Sequence, residues 1–296
     1  MTDTIKVAVI GAGVMGKNHL KTYKNLPNVE LIGVYDIFPE AAENAAKMFG
    51  IKAFSSMEEV AKSVNAVSVV TTSTTHADVG EFFLNHGIHC LIEKPLATTE
   101  EECMRLINAA KKNNVTLLVG HIERFNPAVE QMSKILSDTS KIRSLTTQRM
   151  SAASGRITDV DVAMDLMIHD VEVIQSLVKS PVVNVQACSV KTADKPEGKD
   201  YISALLEFEN GATANLTASR ITQARVRTLT VTTDTNYIDM DFINQSINVH
   251  SQGRMPYVNQ ESIPDWMNYG LKGSVEQLFI PTNQPLSAEL RHFMAC

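Results

Sequence analysis

The chain of 296 residues is 44% hydrophobic and 20% charged with a formal net charge of −6, the balance of an ordinary soluble globular protein. That length is comfortable for two domains. Basic residues occur in nothing longer than pairs such as Lys111-Lys112, which leaves no footprint for nucleic acid, and no apolar run approaches the ~20 residues of a membrane span. Cys90, Cys103, Cys188 and Cys296 form no C-x-x-C and fit no zinc spacing, so they read as reduced thiols and no metal is expected. The chain enters a strand by Ile5 without a signal-peptide pattern, and the expected location is cytoplasmic.

Residues 5–10 predict a strand, and Gly11-Ala12-Gly13-Val14-Met15-Gly16 opens a helical pattern after it. A second apolar run ends at Asp36, twenty positions beyond the last glycine. G-x-G-x-x-G alone is a weak signal; set between strand and helix, with that acid following, it predicts a dinucleotide-binding unit. Gly11 lets the strand turn sharply, Gly13 lets a pyrophosphate approach the backbone, and Gly16 lets the helix pack close to the strand. The helix N-terminus adds N–H groups and a partial positive charge. Asp36 is expected to accept hydrogen bonds from the adenosine ribose. Ile37 and Phe38 after it provide no cation for a 2′-phosphate, so NAD is expected over NADP.

Helices are predicted over residues 39–48 and 57–63, then a buried strand over 66–70 and a hydroxyl-rich loop over 71–75. A helix then runs through His86 to Gly87, and the strand over 88–92 ends at Glu93-Lys94-Pro95. Thr99 and Glu102 resemble a capping box opening a helix to Asn113, and a sixth strand covers 115–119. This alternation predicts an α/β Rossmann domain over residues 1–121, a parallel doubly wound sheet with its ligand at the carboxyl ends of the strands. Beyond it, Asn126-Pro127 is a break and residues 128–136 read as helix. Period-two strands follow at 145–150, 182–190, 202–208, 213–219 and 226–232, interrupted by one helix over 163–178. The expectation is a largely antiparallel α+β domain over residues 122–296, with 251–283 irregular.

Three motifs suit chemistry. Lys94 ends a strand on the cofactor side and can reach a substrate hydroxyl or carbonyl, with Pro95 admitting a cis bond; an exposed Lys before a helix-starting Pro fits the same residues. Asp165 and His169 stand four apart on the helix, opposite a stripe of Met164, Met167, Ile168, Val171, Ile174 and Val178. Such a pair suits a general base tuned by a carboxylate, although the wet face of an amphipathic helix, with Glu172 and Ser176, is the usual explanation of the spacing alone. The loops Thr71-Thr72-Ser73-Thr74-Thr75-His76 and 120–127, the latter with His121, suit a cofactor ribose or nicotinamide; Thr74 or Thr75 capping a helix is the other explanation. His19, His86, His89, His250 and His292 form no ligand spacing and read as structural or surface residues.

Together these residues resemble the glucose–fructose oxidoreductase, inositol 2-dehydrogenase and rhizopine-catabolism family of NAD(P)-dependent sugar oxidoreductases. The resemblance rests on Gly11 to Gly16, Asp36, Thr71 to His76, Glu93-Lys94-Pro95, Val119-Gly120-His121 with Arg124-Phe125-Asn126-Pro127, and Asp165 to Asp170. It implies a C-terminal domain with a large, open, mostly antiparallel sheet, commonly mediating homodimers or homotetramers. It implies that Lys94, Asp165 and His169 flank the reacting carbon while Gly11, Ala12, Gly13, Val14, Met15, Gly16, Asp36, Thr71, Thr72, His76, Glu93 and Lys94 hold the cofactor. His121 is assigned to substrate. Arg156 is a candidate for a substrate phosphate, although a solvent-facing Arg is the commoner explanation. The run 156–161 leading into 165–170, with 121–127, is most similar to the branch that oxidises the 3-hydroxyl of UDP-N-acetylglucosamine. An inositol or aldose dehydrogenase, or a non-catalytic NAD-bound sensor, are the other readings. Many members have Gly where Met167 stands and Pro where Thr72 stands, and they usually continue beyond residues 285–296 with a further helical segment, whose loss would expose apolar surface.

Overall fold

The fold is that of a computed structural model, which describes residues 4–152, 160–190, 200–252 and 273–296. It resolves into two compact units, Met1–Phe125 with Asn283–Cys296, and Asn126–Thr282.

The first unit is a doubly wound α/β sheet. Its elements are β1 (Ile5–Ile10), α1 (Val14–Tyr23), β2 (Val29–Tyr35), α2 (Pro39–Phe49), β3 (Lys52–Ala53), α3 (Met57–Ala61) and β4 (Ala66–Val69). They continue with α4 (His76–Asn85), β5 (His89–Glu93), α5 (Glu100–Asn113) and β6 (Leu117–Gly120). The six strands lie in the order β3-β2-β1-β4-β5-β6, and every pair is parallel. Such strands are covered on both faces, so alternate residues enter different cores. Val7 and Val9 pack with Leu20 and Tyr23 of α1, whereas Ala8 and Ile10 pack with Phe83, Leu84 and Leu106 on the other side. Local signals behave as the residues dictate: Gly50 ends α2 in the left-handed region, and Thr99 with Glu102 closes both bonds of the capping box on α5.

The last helix, α8 (Pro285–Ala295), was expected within the second domain and belongs to the first unit. Leu290 and Phe293 bury in the same cluster as Val7, Val9, Leu20 and Tyr23, which places α8 against α1 and the short turn at Ile122–Phe125.

The second unit contains α6 (Pro127–Ile135), β7 (Ile142–Met150), α7 (Ile168–Val178), β8 (Val182–Val190), β9 (Tyr201–Phe208), β10 (Thr213–Ser219) and β11 (Val226–Thr233). It ends with β12 (Asn236–Asp241), β13 (Ser246–Gln252) and β14 (Gly273–Leu278). The eight strands are ordered β14-β13-β12-β11-β7-β10-β9-β8, antiparallel throughout except for β10 beside β7. Leu145, Leu216, Leu229, Ile238 and Ile247 from one face form a core with Val173, Ile174, Leu177 and Val178 of α7. β14 lies in the stretch expected to be irregular, because its polar Ser274, Glu276 and Gln277 mask a period-two signal. Among the described residues no helix is long and apolar enough to cross a membrane.

Candidate active site

The order β2-β1-β4 puts the sheet's reversal between β1 and β4, the switch point outside which α/β sheets hold ligands. Gly11 takes φ +108° there, and a Cβ on it would stand 2.6 Å from the Val70 carbonyl oxygen. A Cβ on Gly16 would stand 1.9 Å from the Gly11 carbonyl oxygen, so only glycine lets α1 seat against this turn. Gly13 is different: no atom lies within 4 Å of a Cβ built on it. No side chain caps α1 and no acid stands in its first turn, which leaves its amides to an anion. Asp36 Oδ2 accepts the Ala12 amide at 2.7 Å and Oδ1 accepts the Phe38 amide at 2.9 Å. A carboxylate has about four lone-pair positions, so ribose hydroxyls still find acceptors. Ile37 and Phe38 beside it are 78% and 71% exposed and bring no positive charge. Open glycine, uncapped helix and ribose acid together fit a dinucleotide.

After β4, Thr75 Oγ1 lies 2.8 Å from Thr71 Oγ1 and 2.9 Å from the Thr72 carbonyl; these hydroxyls bind one another and cap no helix. His76, expected to hold cofactor, is 1% exposed, with its ring nitrogens 2.7 Å from the Pro95 carbonyl and 3.2 Å from that of Thr71. These contacts staple the two loops together. Glu93 is likewise turned inward: His19 Nε2 lies 3.1 Å from Oε1, and the Lys94 amide donates to Oε2 at 3.3 Å. Gly120 packs closely against it, since a Cβ there would stand 3.0 Å from Glu93 Cδ and crowd that side chain. Lys94 itself is half-buried, and the Lys94–Pro95 peptide is cis. His121, half-buried after β6, senses the charges of Arg124, Glu93 and Lys94. Burial first, then Arg124, pulls its imidazole down to about 4, so it is neutral at physiological pH and able to accept or donate a hydrogen bond.

In the second unit, the helix carrying Asp165 and His169 begins as a π-helical turn over Ala163–Met167 before α7. The wider turn alters the i, i+4 geometry expected from the sequence. Asp165 is 7% exposed, so it is not on a wet face, and the buried stripe shifts to Val173, Ile174, Leu177 and Val178. His169 is half-buried. Asp161 Oδ1 accepts the Ala163 and Met164 amides and starts the turn. Arg220 was not anticipated: its guanidinium lies 3.9 Å from Asp165 Oδ2 and 3.3 Å from Asp200 Oδ1, and it donates to the Val160 carbonyl at 3.1 Å. The residues of this triad are scattered over the sequence, and no spacing announces them. Asp170 pairs with Arg149 of β7, both fully buried, at 2.8 and 2.9 Å. Arg156 lies outside the described residues.

The sequence matches the model of the GFO/IDH/MocA oxidoreductase family, NAD-binding Rossmann fold, over residues 5–121, and the C-terminal domain model of the same family over residues 143–238. The chain belongs to the GFO/IDH/MocA family. It is therefore an oxidoreductase built on an NAD-binding Rossmann fold. It is 33% identical over 264 residues to UDP-N-acetylglucosamine 3-dehydrogenase of Acidithiobacillus ferrooxidans, covering 88% of this chain and 82% of the relative. It is 27% identical to inositol 2-dehydrogenase of Rhizobium meliloti over 230 residues, covering 73% of this chain and 69% of the relative. Its fold matches the solved structure of the Acidithiobacillus ferrooxidans UDP-N-acetylglucosamine 3-dehydrogenase with a TM-score of 0.86 at 30% identity, covering 98% of this chain and 88% of that one.

Proposed function

We propose that this chain is an NAD-dependent dehydrogenase of a nucleotide sugar, oxidising the 3-hydroxyl of UDP-N-acetylglucosamine. The observation that supports it most is the 33% identity to an enzyme of that name along 88% of the chain. Asp36, with apolar Ile37 and Phe38 behind it, supports NAD over NADP. Gly11 to Gly16, Asp36, Thr71 and Thr72 would hold the cofactor, whose nicotinamide supplies the hydride acceptor. Lys94 donates a hydrogen bond to the substrate oxygen and stabilises negative charge as it develops. His169 removes the hydroxyl proton, and Asp165, itself oriented by Arg220, holds the imidazole in position. His121, neutral at physiological pH, fixes a sugar hydroxyl. The exposed Val183, Val185 and Val190 on edge strand β8 support a homodimer or homotetramer formed through the second unit's sheet.

A substrate panel at fixed NAD tests the reading. UDP-N-acetylglucosamine should yield NADH, and NADH from an inositol or a free aldose alone assigns the chain to another substrate. Lys94→Ala should lower kcat at least roughly a hundredfold while NADH binding stays within about threefold. Unchanged turnover removes Lys94 from the mechanism.

A further inference from the structure

Asp200 stands immediately before β9, and Arg220 immediately after β10. These strands pair antiparallel with Tyr201 opposite Ser219, so the register itself sets Asp200 across from Arg220. The Arg220 amide donates to the Asp200 carbonyl at 2.8 Å, and Nη2 of its guanidinium lies 3.3 Å from Asp200 Oδ1. The other nitrogen, Nη1, donates to the Val160 carbonyl at 3.1 Å and lies 3.9 Å from Asp165 Oδ2. Between these last two partners is the start of the π turn. Asp161 Oδ1 accepts the Ala163 and Met164 amides there, and the Asp161 carbonyl accepts the Asp165 amide at 3.0 Å. Arg220 thus touches the chain on both sides of the Asp161 cap, and it does so from a strand end that Asp200 holds.

Asp200 is as buried as Asp165, and a buried carboxylate needs a cation or hydrogen bonds to offset its desolvation. One guanidinium serves both. It stays charged in any protein environment, and its planar fork fixes the directions of its donors. Once Asp200 holds the Arg220 main chain and one edge of the fork, the position of the other edge is set. That edge is the one turned to Val160 and Asp165. A lysine ammonium on its flexible stem has no such second edge.

We propose that Asp200 is a positioning residue for Asp165, acting through Arg220: the β9–β10 strand ends form a clamp that aims one guanidinium at the π turn and fixes the Asp165 carboxylate there. The catalytic consequence rests on the proposed role of Asp165 in steadying the base. The sheet of the second unit then sets the geometry of a proton-transfer residue as well as forming that unit's core.

Double-mutant cycles on the full chain test the clamp. With the sugar found by the panel, Asp200→Asn and Arg220→Gln should each lower kcat roughly tenfold with KM within about twofold. Acting through Asp165, neither should lower kcat further in an Asp165→Asn background. Wild-type kcat in Asp200→Asn overturns the proposal, as do losses that multiply in the Asp165→Asn background, the mark of a general structural role. A second arm needs no substrate: urea midpoints of the second unit, read by hydrogen exchange of α7 and β10 peptides. Arg220→Gln takes the cation from two buried carboxylates and should lower the midpoint, and adding Asp165→Asn should return part of that loss. Asp200→Asn with Asp165→Asn should fall below the sum of the single shifts, because together they take both carboxylates from Arg220. Additive shifts in both pairs overturn the clamp. Should Arg220→Gln not fold, the Asp200→Asn and Asp165→Asn pair decides both arms. Should no sugar be turned over by the wild type, the enzymatic reading fails while the urea arm still decides the clamp.

Discussion

At Asp36 one carboxylate accepts the Ala12 and Phe38 amides and keeps lone pairs toward solvent, so the side chain shapes the glycine turn and offers a ribose acceptor at once. Asp36→Ala should raise the NADH dissociation constant roughly tenfold, about 1.4 kcal/mol, and narrow its preference over NADPH. Fluorescence titration with both cofactors measures this, and tighter NADPH binding by the wild type would refute the reading of Asp36. Asp170 works at the same scale but on stability. It sits beside His169 in sequence, yet its carboxylate is buried against Arg149, which also stacks 4.9 Å from the Phe242 ring. Removing one partner strands the other charge in the core, so Asp170→Ala should destabilise the protein by roughly 3–5 kcal/mol in denaturant unfolding. A loss under about 1 kcal/mol would show that water reaches Arg149.

Two helices show how an element decides what its residues can do. The π turn ahead of α7 draws Asp165 inward toward Arg220 where a regular helix would leave it on the polar side. Helix α8 covers one face of the parallel sheet through Leu290 and Phe293 and carries Glu289 in with them. The Glu289 carboxyl titrates near 9 in the folded chain against an ordinary value of 4.5. Between those values the folded chain keeps a proton that the unfolded chain releases. Stability therefore falls as pH rises from about 4.5 to about 9, by up to ~1.4 kcal/mol per pH unit, and this contribution is level outside that window. Glu289→Gln should remove the slope: its melting temperature relative to the wild type should climb across the window and level off above about pH 9. Parallel pH dependences in the two proteins would sink this assignment.

At the scale of the whole molecule, each unit packs around its own sheet, Val7 and Val9 in the core on one face of the parallel sheet, Ala8 and Ile10 in that on the other, and Leu145, Leu216 and Leu229 in the core of the second unit. The residues proposed to hold the cofactor belong to the first unit alone, so on that proposal NAD at about a hundred times its dissociation constant should stabilise that unit by ~2.7 kcal/mol. Hydrogen exchange should slow most in β1, α1, β2 and β4, and uniform protection of the second unit instead would displace the cofactor site. Much of this architecture is legible in the residues. The repeat of apolar strand and helix from Ile5 to Gly120, the glycine turn ending at Asp36, the capping box at Thr99 and the strands through Thr233 are written locally, because period, caps and turns act over a few residues. Three things are not written there. Arg220 meets Asp200 when β10 pairs with β9, and meets Asp165 only when the π turn packs against β10. The helical turn at Asp165 widens although its sequence reads as regular helix. Glu289, on a helix whose sequence marks a solvent-facing acid as readily as a buried one, lies fully buried because Leu290 and Phe293 dock on the sheet far back in the chain. Sequence by itself determined the fold class, the cofactor turn and the polar residues available for chemistry, since these follow from short-range pattern. Tertiary structure alone decided which of those residues are buried together and how their charges are balanced, since desolvation and pairing depend on neighbours brought from distant parts of the chain.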